Sequence, residues 1–420
     1  MLINLGRGLS HASSNISSII TPPPLADLSQ KTIALLGDSL SAHNSSSNNR
    51  EYLSTGYIPM LNALTGHRYN FPPENNLGIG GENSTQINAR KANLASLVKT
   101  PDVIFVLAGT NDVDTSTTEA AIIDNLQNIY NYITNSLGAK IIALTIPARN
   151  QYPSGTSIST SNQTKLENVN NWIMAQSGNI TPIDIFTPLS DGNGQPNPYY
   201  YNKEGTNNLS YVHLNPIGAR HVAYIFKQYF ENIYGTYDIP DLTLSNLLLN
   251  NDMSGTGGNN DSSLIGDLTN GFKLSAYSAA TGTLSKPTPT SQQIDISYYD
   301  WTAYDTLLYY PDDITTGYVA GDQLIAEAEI EIINGSRVEG IWLEMVDKGT
   351  STSLYYKDLS KYKAPEFPTD PKTYFYQTPV ATIQNDNTSV SIRVRAEFDS
   401  DNGNTAGVNL IVKQLRCRKI

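Results

Sequence analysis

From Lys31 to about Tyr234, short apolar runs alternate with stretches of helical periodicity. No other feature constrains the fold as strongly. A strand–helix rhythm of this kind implies a parallel, doubly wound sheet with helices on both faces. Thr32-Ile33-Ala34-Leu35-Leu36, Asp102–Leu107, Lys140–Thr145 and Ile180–Ile185 read as strands. The first two are nearly continuous apolar runs, as expected of strands buried on both faces. Helices are expected over Tyr57–Leu64 and around Gln163–Gln176. Another is capped by Ser84 and carries Ile87, Leu94, Leu97 and Val98. A fourth is opened by the capping-box pair Ser116 and Glu119, carries Ile122, Leu126, Ile129, Ile133 and Leu137, and is stopped by Gly138. The last runs from Asn215 as cap and Pro216 in the first turn to Gly235.

The pattern changes beyond about Asp238. Gly, Asn and Ser cluster between Asn250 and Ser263, and short strands follow. Ala326, Ala328, Ile330 and Ile332 alternate with Glu327, Glu329 and Glu331, which describes a half-buried antiparallel strand. Ile294–Tyr299, Val338–Met345, Ser391–Phe398 and Val408–Leu415 read similarly. The expected organisation is an extension over 1–29, an α/β domain over 30–236 and a jelly-roll-like β-sandwich over 237–420. At 420 residues the chain is too long for one ordinary core. Its single cysteine, Cys417, forms no disulfide within the chain and is expected to be a buried apolar residue of the last strand.

Four blocks lie on loops that leave the carboxyl ends of the expected strands or open a helix. They are Gly37-Asp38-Ser39-Leu40, the glycine-rich Asn76–Ser84, Gly109-Thr110-Asn111-Asp112, and Val212-His213-Leu214-Asn215-Pro216. A parallel sheet brings these loops to one edge. The chemistry that fits is acyl transfer, with Ser39 as nucleophile and His213 as general base. The backbone N–H groups of Ser39 and Gly81 and the side-chain amide of Asn111 suit an oxyanion hole. Asp38 reads as a hydrogen-bonding scaffold residue and Glu82 as solvated. His11, His43, His67 and His221 read as structural. Unpaired histidine spacing offers no metal site, and no cofactor is expected.

These four blocks resemble the SGNH (GDSL-type) hydrolases over roughly residues 31–234. The resemblance implies a flavodoxin-like three-layer fold and metal-free esterase, lipase or deacetylase activity. In that family an Asp usually stands three residues before the histidine, where this chain has Ser210. Three readings stay open. A backbone carbonyl or the Ser210 hydroxyl orients His213; another acid, such as Glu204 or Asp191, reaches in from the preceding loop; or the site is weak or dead and the fold serves binding.

The net charge of −12 argues against nucleic acid and against a polybasic membrane anchor. No apolar stretch has the length of a membrane span, and residues 1–20 lack the continuous apolar run of a secretory signal. Abundant tyrosine with only 16% charged residues suits a surface that handles sugars. Trp301, Trp342, Tyr298, Tyr299, Tyr309, Tyr310, Tyr355, Tyr356, Tyr374 and Tyr376 either stack on sugar rings or fill the sandwich core. The run Asn246–Asn250 with its Gly/Asn continuation resembles, more loosely, the joining region of phage virion proteins. The expectation is a polysaccharide deacetylase of a phage tail-spike or tail-fibre, extracellular or virion-associated. It implies a homotrimer or attachment to the virion through the N-terminus. The rivals are a non-catalytic glycan-binding or structural protein and a lipase or thioesterase.

Overall fold

The computed structural model describes residues 31–234, 246–250, 252–260, 264–276, 280–298, 305–349, 352–360, 368, 372–384, 389–398 and 405–420. The extension 1–29, Gly235, Tyr299 and Trp301 lie outside the described residues.

Five parallel strands form the first sheet. Their spatial order is Asn76–Gly78, Ile33–Gly37, Val103–Leu107, Lys140–Leu144 and Ile180–Ile183. Numbered along the chain this is 2-1-3-4-5, the flavodoxin-like order, whose topological switch point lies between the first and third strands. The two central strands, Ile33–Gly37 and Val103–Leu107, are buried at every position. Helices Glu119–Asn131 and Thr160–Met174 pack on one face through Ile122, Leu126, Ile129, Leu166, Val169 and Ile173. Helices Tyr57–Leu64 and Pro216–Tyr234 pack on the other through Ile58, Leu61, Val222 and Phe226.

Two helix caps differ from the sequence reading by one or two residues, because several cap-forming side chains stand in a row and geometry selects one. Asn83 is the cap that Ser84 was expected to be, and it forms a full capping box with Gln86. Thr118 caps the next helix in place of Ser116, accepting from the Ala121 N–H. Helix Ser84–Ala89 is also short. A 3₁₀ segment, Lys91–Ser96, follows it and leaves Val98 fully exposed. Asn215 caps the last helix as expected, accepting from the Gly218 N–H at 2.8 Å.

The carboxyl-terminal half is a β-sandwich. One sheet has Val338–Lys348, Val390–Phe398 and Asp305–Pro311 at its centre; the other has Gln323–Ser336, Ala406–Lys419 and Gln292–Tyr298. Tyr309 and Val394 of the first sheet and Ile294, Ile330, Leu410 and Tyr374 of the second share one core. Tyr298, Tyr309, Tyr356, Tyr374 and Tyr376 belong to the buried core, whereas Trp342 is buried on the other face of its strand under Arg395; Tyr355 is exposed. Cys417 is buried in the last strand. Glu327 departs from the alternation. It is buried because Arg416 and Arg418 both donate to its carboxylate from the neighbouring strand, at 2.6 and 3.0 Å. Burial opposes its ionisation, but those two guanidinium groups outweigh it and hold the carboxyl below its ordinary range.

The two halves share secondary structure. The hairpin Ser45–Ser46 and Glu51–Leu53, between the first strand and the first long helix, joins the edge of the sandwich sheet. There Glu51–Leu53 runs parallel to Ser353–Ser360. The Lys357 N–H donates to the Arg50 carbonyl and the Ser54 N–H to the Ser360 carbonyl, both at 3.0 Å. His67 Nε2 meets Asp358 Oδ2 at 3.1 Å, both side chains being buried.

Candidate active site

The first strand ends at Gly37 and the chain turns at once into the short helix Ser39–Ala42. Asp38 makes this turn, since its Oδ1 accepts the Leu40 N–H at 3.0 Å. The turn is tight. A Cβ on Gly37 would stand 2.4 Å from the Leu107 carbonyl oxygen, and one on Gly78 would stand 2.1 Å from the Ala42 nitrogen. Ser39 therefore sits at the helix N-terminus, where the backbone N–H has no intrahelical acceptor. It also lies at the switch point of the sheet. Burial pushes the Asp38 carboxyl up to about 6, against the Leu40 N–H, the Thr110 hydroxyl and the positive charge of Arg149.

Ser39 Oγ lies 2.8 Å from His213 Nε2, and His213 Nδ1 lies 2.6 Å from Glu204 Oε2. His213 precedes the helix that Asn215 caps. Its segment folds back on the segment carrying Glu204. The Asn202 N–H donates to the His213 carbonyl, and Glu204 and Ser210 exchange both backbone hydrogen bonds at 3.0 and 2.8 Å. Residues directly opposite each other in an antiparallel pair project to the same side. Glu204 is thus the cross-strand partner of Ser210, and its longer side chain reaches the imidazole. Of the three open readings, the one with an acid from the preceding loop describes this contact, and the role expected of Ser210 is corrected. Ser210 is fully buried, its Oγ meets no hydrogen-bond partner among the described residues, and Glu204 holds Nδ1. Asp191 instead accepts the N–H groups of Asn193 and Gln195 in its own exposed turn.

The oxyanion-hole candidates converge on the same cleft, of about 570 Å³, which Ser39, Gly81, Asn111 and His213 line. Gly81 has φ of +81°, a conformation that favours glycine, and a Cβ there would meet open space. Asn111 Nδ2 donates one N–H to the Glu82 carbonyl at 2.9 Å. A primary amide has two N–H donors, so the second remains for a ligand. Asp112 ties the two loops together, accepting from Ser84 N and Oγ at 2.7 and 3.0 Å. Glu82 is not simply solvated. Arg90 grips its carboxylate and donates to the carbonyls of Leu77 and Gly37, so one guanidinium joins the nucleophile turn to the glycine loop.

Three residues of the cleft were not among the candidates for chemistry. His43 packs its ring 4.6 Å from that of His213. Arg149 is buried, pairs with Asp114 at 3.0 Å and donates to the Thr110 carbonyl at 2.7 Å, bracing the Asn111 turn. Tyr152 stands at the rim. No local pattern marks any of them; only the fold brings them to the nucleophile. Geometrically the cleft offers a hydroxyl, an imidazole and a carboxylate in one hydrogen-bonded line, beside N–H donors. That arrangement activates a serine for attack on a carbonyl.

Solved structures with a similar α/β part include a GDSL-like lipase from Bacteroides thetaiotaomicron, 18% identical with a TM-score of 0.36, covering 48% of this chain and 88% of that one. A G-D-S-L family lipolytic protein from Veillonella parvula is 22% identical with a TM-score of 0.35, covering 47% and 97%. A carbohydrate esterase family 3 protein from Talaromyces cellulolyticus is 15% identical with a TM-score of 0.36, covering 49% and 98%. No curated protein matches the chain. Residues 35–221 match the model of the GDSL-like lipase/acylhydrolase family. With the four blocks set around one cleft on a 2-1-3-4-5 sheet, this part of the chain belongs to that SGNH-type hydrolase family.

Proposed function

We propose that the protein is a serine esterase that removes acetyl or another small acyl group from a polysaccharide. The observation that carries this reading is the unbroken line Ser39–His213–Glu204 in a cleft whose other walls are mostly polar or glycine. His213 Nε2 takes the Ser39 proton as Oγ bonds to the ester carbonyl carbon. Negative charge then moves onto the carbonyl oxygen, facing the N–H groups of Ser39, Gly81 and Asn111, each such donor typically contributing about 10²–10³ in rate. Glu204 fixes the imidazole with its Nδ1 proton outward and stabilises the imidazolium. As the carbon–oxygen bond to the alcohol breaks, His213 returns the proton to the leaving oxygen. Water repeats the sequence on the acyl-enzyme, and the carboxylic acid leaves with Ser39 restored. In this reading the substrate is a bacterial capsule or O-antigen and the chain is a virion component. The family membership of residues 35–221 supports the ester chemistry, and a lining rich in glycine, with Val212 as its one aliphatic side chain, supports a small acyl group on a sugar.

The test is acetate release from acetylated bacterial polysaccharides and from ethyl acetate. Wild-type protein releases acetate from both, and Ser39→Ala lowers turnover by about 10⁴ or more. A folded wild-type protein that releases none from any substrate overturns the esterase reading.

A further inference from the structure

The rim of the cleft carries a side chain that the acyl-transfer steps do not use. Tyr152 is 59% exposed, yet it lines the cleft with Ser39 and His213. Its backbone is held on both sides. Asn150 is buried and donates from Nδ2 to the carbonyls of Gly155 and Leu209 at 3.1 and 2.8 Å, while its Oδ1 accepts the Tyr211 N–H at 2.7 Å. The Thr206 N–H donates to the Pro153 carbonyl at 2.8 Å. Gly155 and Gly205 allow the segments to close. A Cβ on the first would stand 2.4 Å from the Leu209 carbonyl oxygen, and one on the second 2.4 Å from that of Pro153. The Tyr152 loop is therefore stapled to the segments that carry Glu204 and His213. The ring's attachment point is set relative to the reacting atoms, but the ring itself faces water.

The surroundings define what such a ring can take. Among the cleft-lining residues only Val212 and the Tyr152 ring are sizeable and apolar. Exposed Ser154, Thr156 and Ser157 follow Tyr152 in the same loop. One flat apolar plate beside glycines and the polar groups of His43, Asn111 and Arg149 is complementary to a pyranose ring, which has a C–H face and a rim of hydroxyls. A long acyl chain needs a continuous apolar groove instead. We propose that Tyr152 is a specificity residue whose ring stacks on the sugar carrying the scissile ester, placing the ester carbonyl at Ser39. This inference rests on the polysaccharide reading above.

The experiment compares kcat and KM for glucose pentaacetate and for ethyl acetate in wild type, Tyr152→Ala, Tyr152→Phe and Tyr152→Trp. Stacking present equally in the bound and transition states raises KM and leaves kcat nearly unchanged when removed. For glucose pentaacetate Tyr152→Ala raises KM about three- to tenfold, the range of one aromatic packing interaction. Its loss in kcat/KM on ethyl acetate is smaller by about threefold or more, and the Phe and Trp variants recover the sugar ester. Equal losses on both esters, an unchanged KM for the sugar ester, or no recovery in Tyr152→Phe overturns the proposal. Wild-type activity on the sugar ester with an indifferent Tyr152→Ala removes the stacking role and leaves the esterase reading standing. Wild-type activity on ethyl acetate alone removes both the sugar substrate and the role of Tyr152.

Discussion

Glu204 decides how the catalytic line is completed, and it does so from the strand opposite the expected position. In the proposed mechanism its charge orients His213 and balances the imidazolium, so Glu204→Gln, which keeps the shape and removes the charge, is expected to lower kcat by about 10³–10⁴. Because residue 210 lies directly across from residue 204, adding Ser210→Asp to that variant is expected to restore about tenfold, measured as ester hydrolysis at one pH. The buried Asp38 yields a prediction about stability. Its carboxyl keeps its proton up to about pH 6 in the folded protein but only to about 3.8 when unfolded. Between those values the folded chain binds more protons than the unfolded one, so this group's contribution falls as pH rises through that window, by about 3 kcal/mol in all. Asp38→Asn retains an acceptor for the Leu40 N–H and lacks this titration. Urea unfolding at pH 4 and pH 7 is expected to show a smaller fall in stability for the variant than for wild type.

At the scale of elements, Ser39 is placed by the close approach of the helix Ser39–Ala42 to the strand Asn76–Gly78. Gly78→Ala puts a methyl group 2.1 Å from the Ala42 nitrogen, and backbone on that side cannot swing away like a side chain. The strand and helix must separate. We expect a loss of about 1–3 kcal/mol in urea unfolding and a fall in kcat, because Ser39 moves relative to His213. Four strands of the parallel sheet were legible from the hydrophobic runs of the sequence; Asn76–Gly78, read as part of a glycine-rich loop, is too short to show one. The cap positions were legible only to within a residue or two, because Asn83 and Ser84, like Ser116 and Thr118, present equivalent side-chain oxygens. Which one bonds depends on where packing starts the helix.

For the whole molecule, the hairpin 45–53 joins the α/β part to the sandwich, and the buried pair His67–Asp358 lies at the same seam. Burial pushes the Asp358 carboxyl upward in pKa, and His67 partly offsets this. His67→Ala removes that partner, and losing a hydrogen bond to a buried polar group costs about 1–3 kcal/mol. We expect the variant to unfold at lower urea concentration, with activity and β-sheet circular dichroism lost in a single transition, as sheet continuity across the seam requires. No helix among the described residues is long and apolar enough to cross a membrane.

What the sequence determined by itself was whatever depends on local order. Apolar runs and helical spacing specify the parallel sheet, because burial on two faces and burial on one stripe leave different periodicities. The blocks around Ser39, Gly81, Asn111 and His213 were equally legible, since each follows a strand or opens a helix and the sheet carries them to one edge. Tertiary structure decided the rest. Glu204 rather than Ser210 or Asp191 meets His213 because an antiparallel pairing six residues apart selects it, and no pattern in the chain encodes that register. The hairpin at 45–53 carries too few residues to show a period, and its partner strand lies some three hundred residues away. Tyr152 and Arg149 became part of the cleft for the same reason. Their neighbours there are distant in sequence, and only the closed fold brings them together.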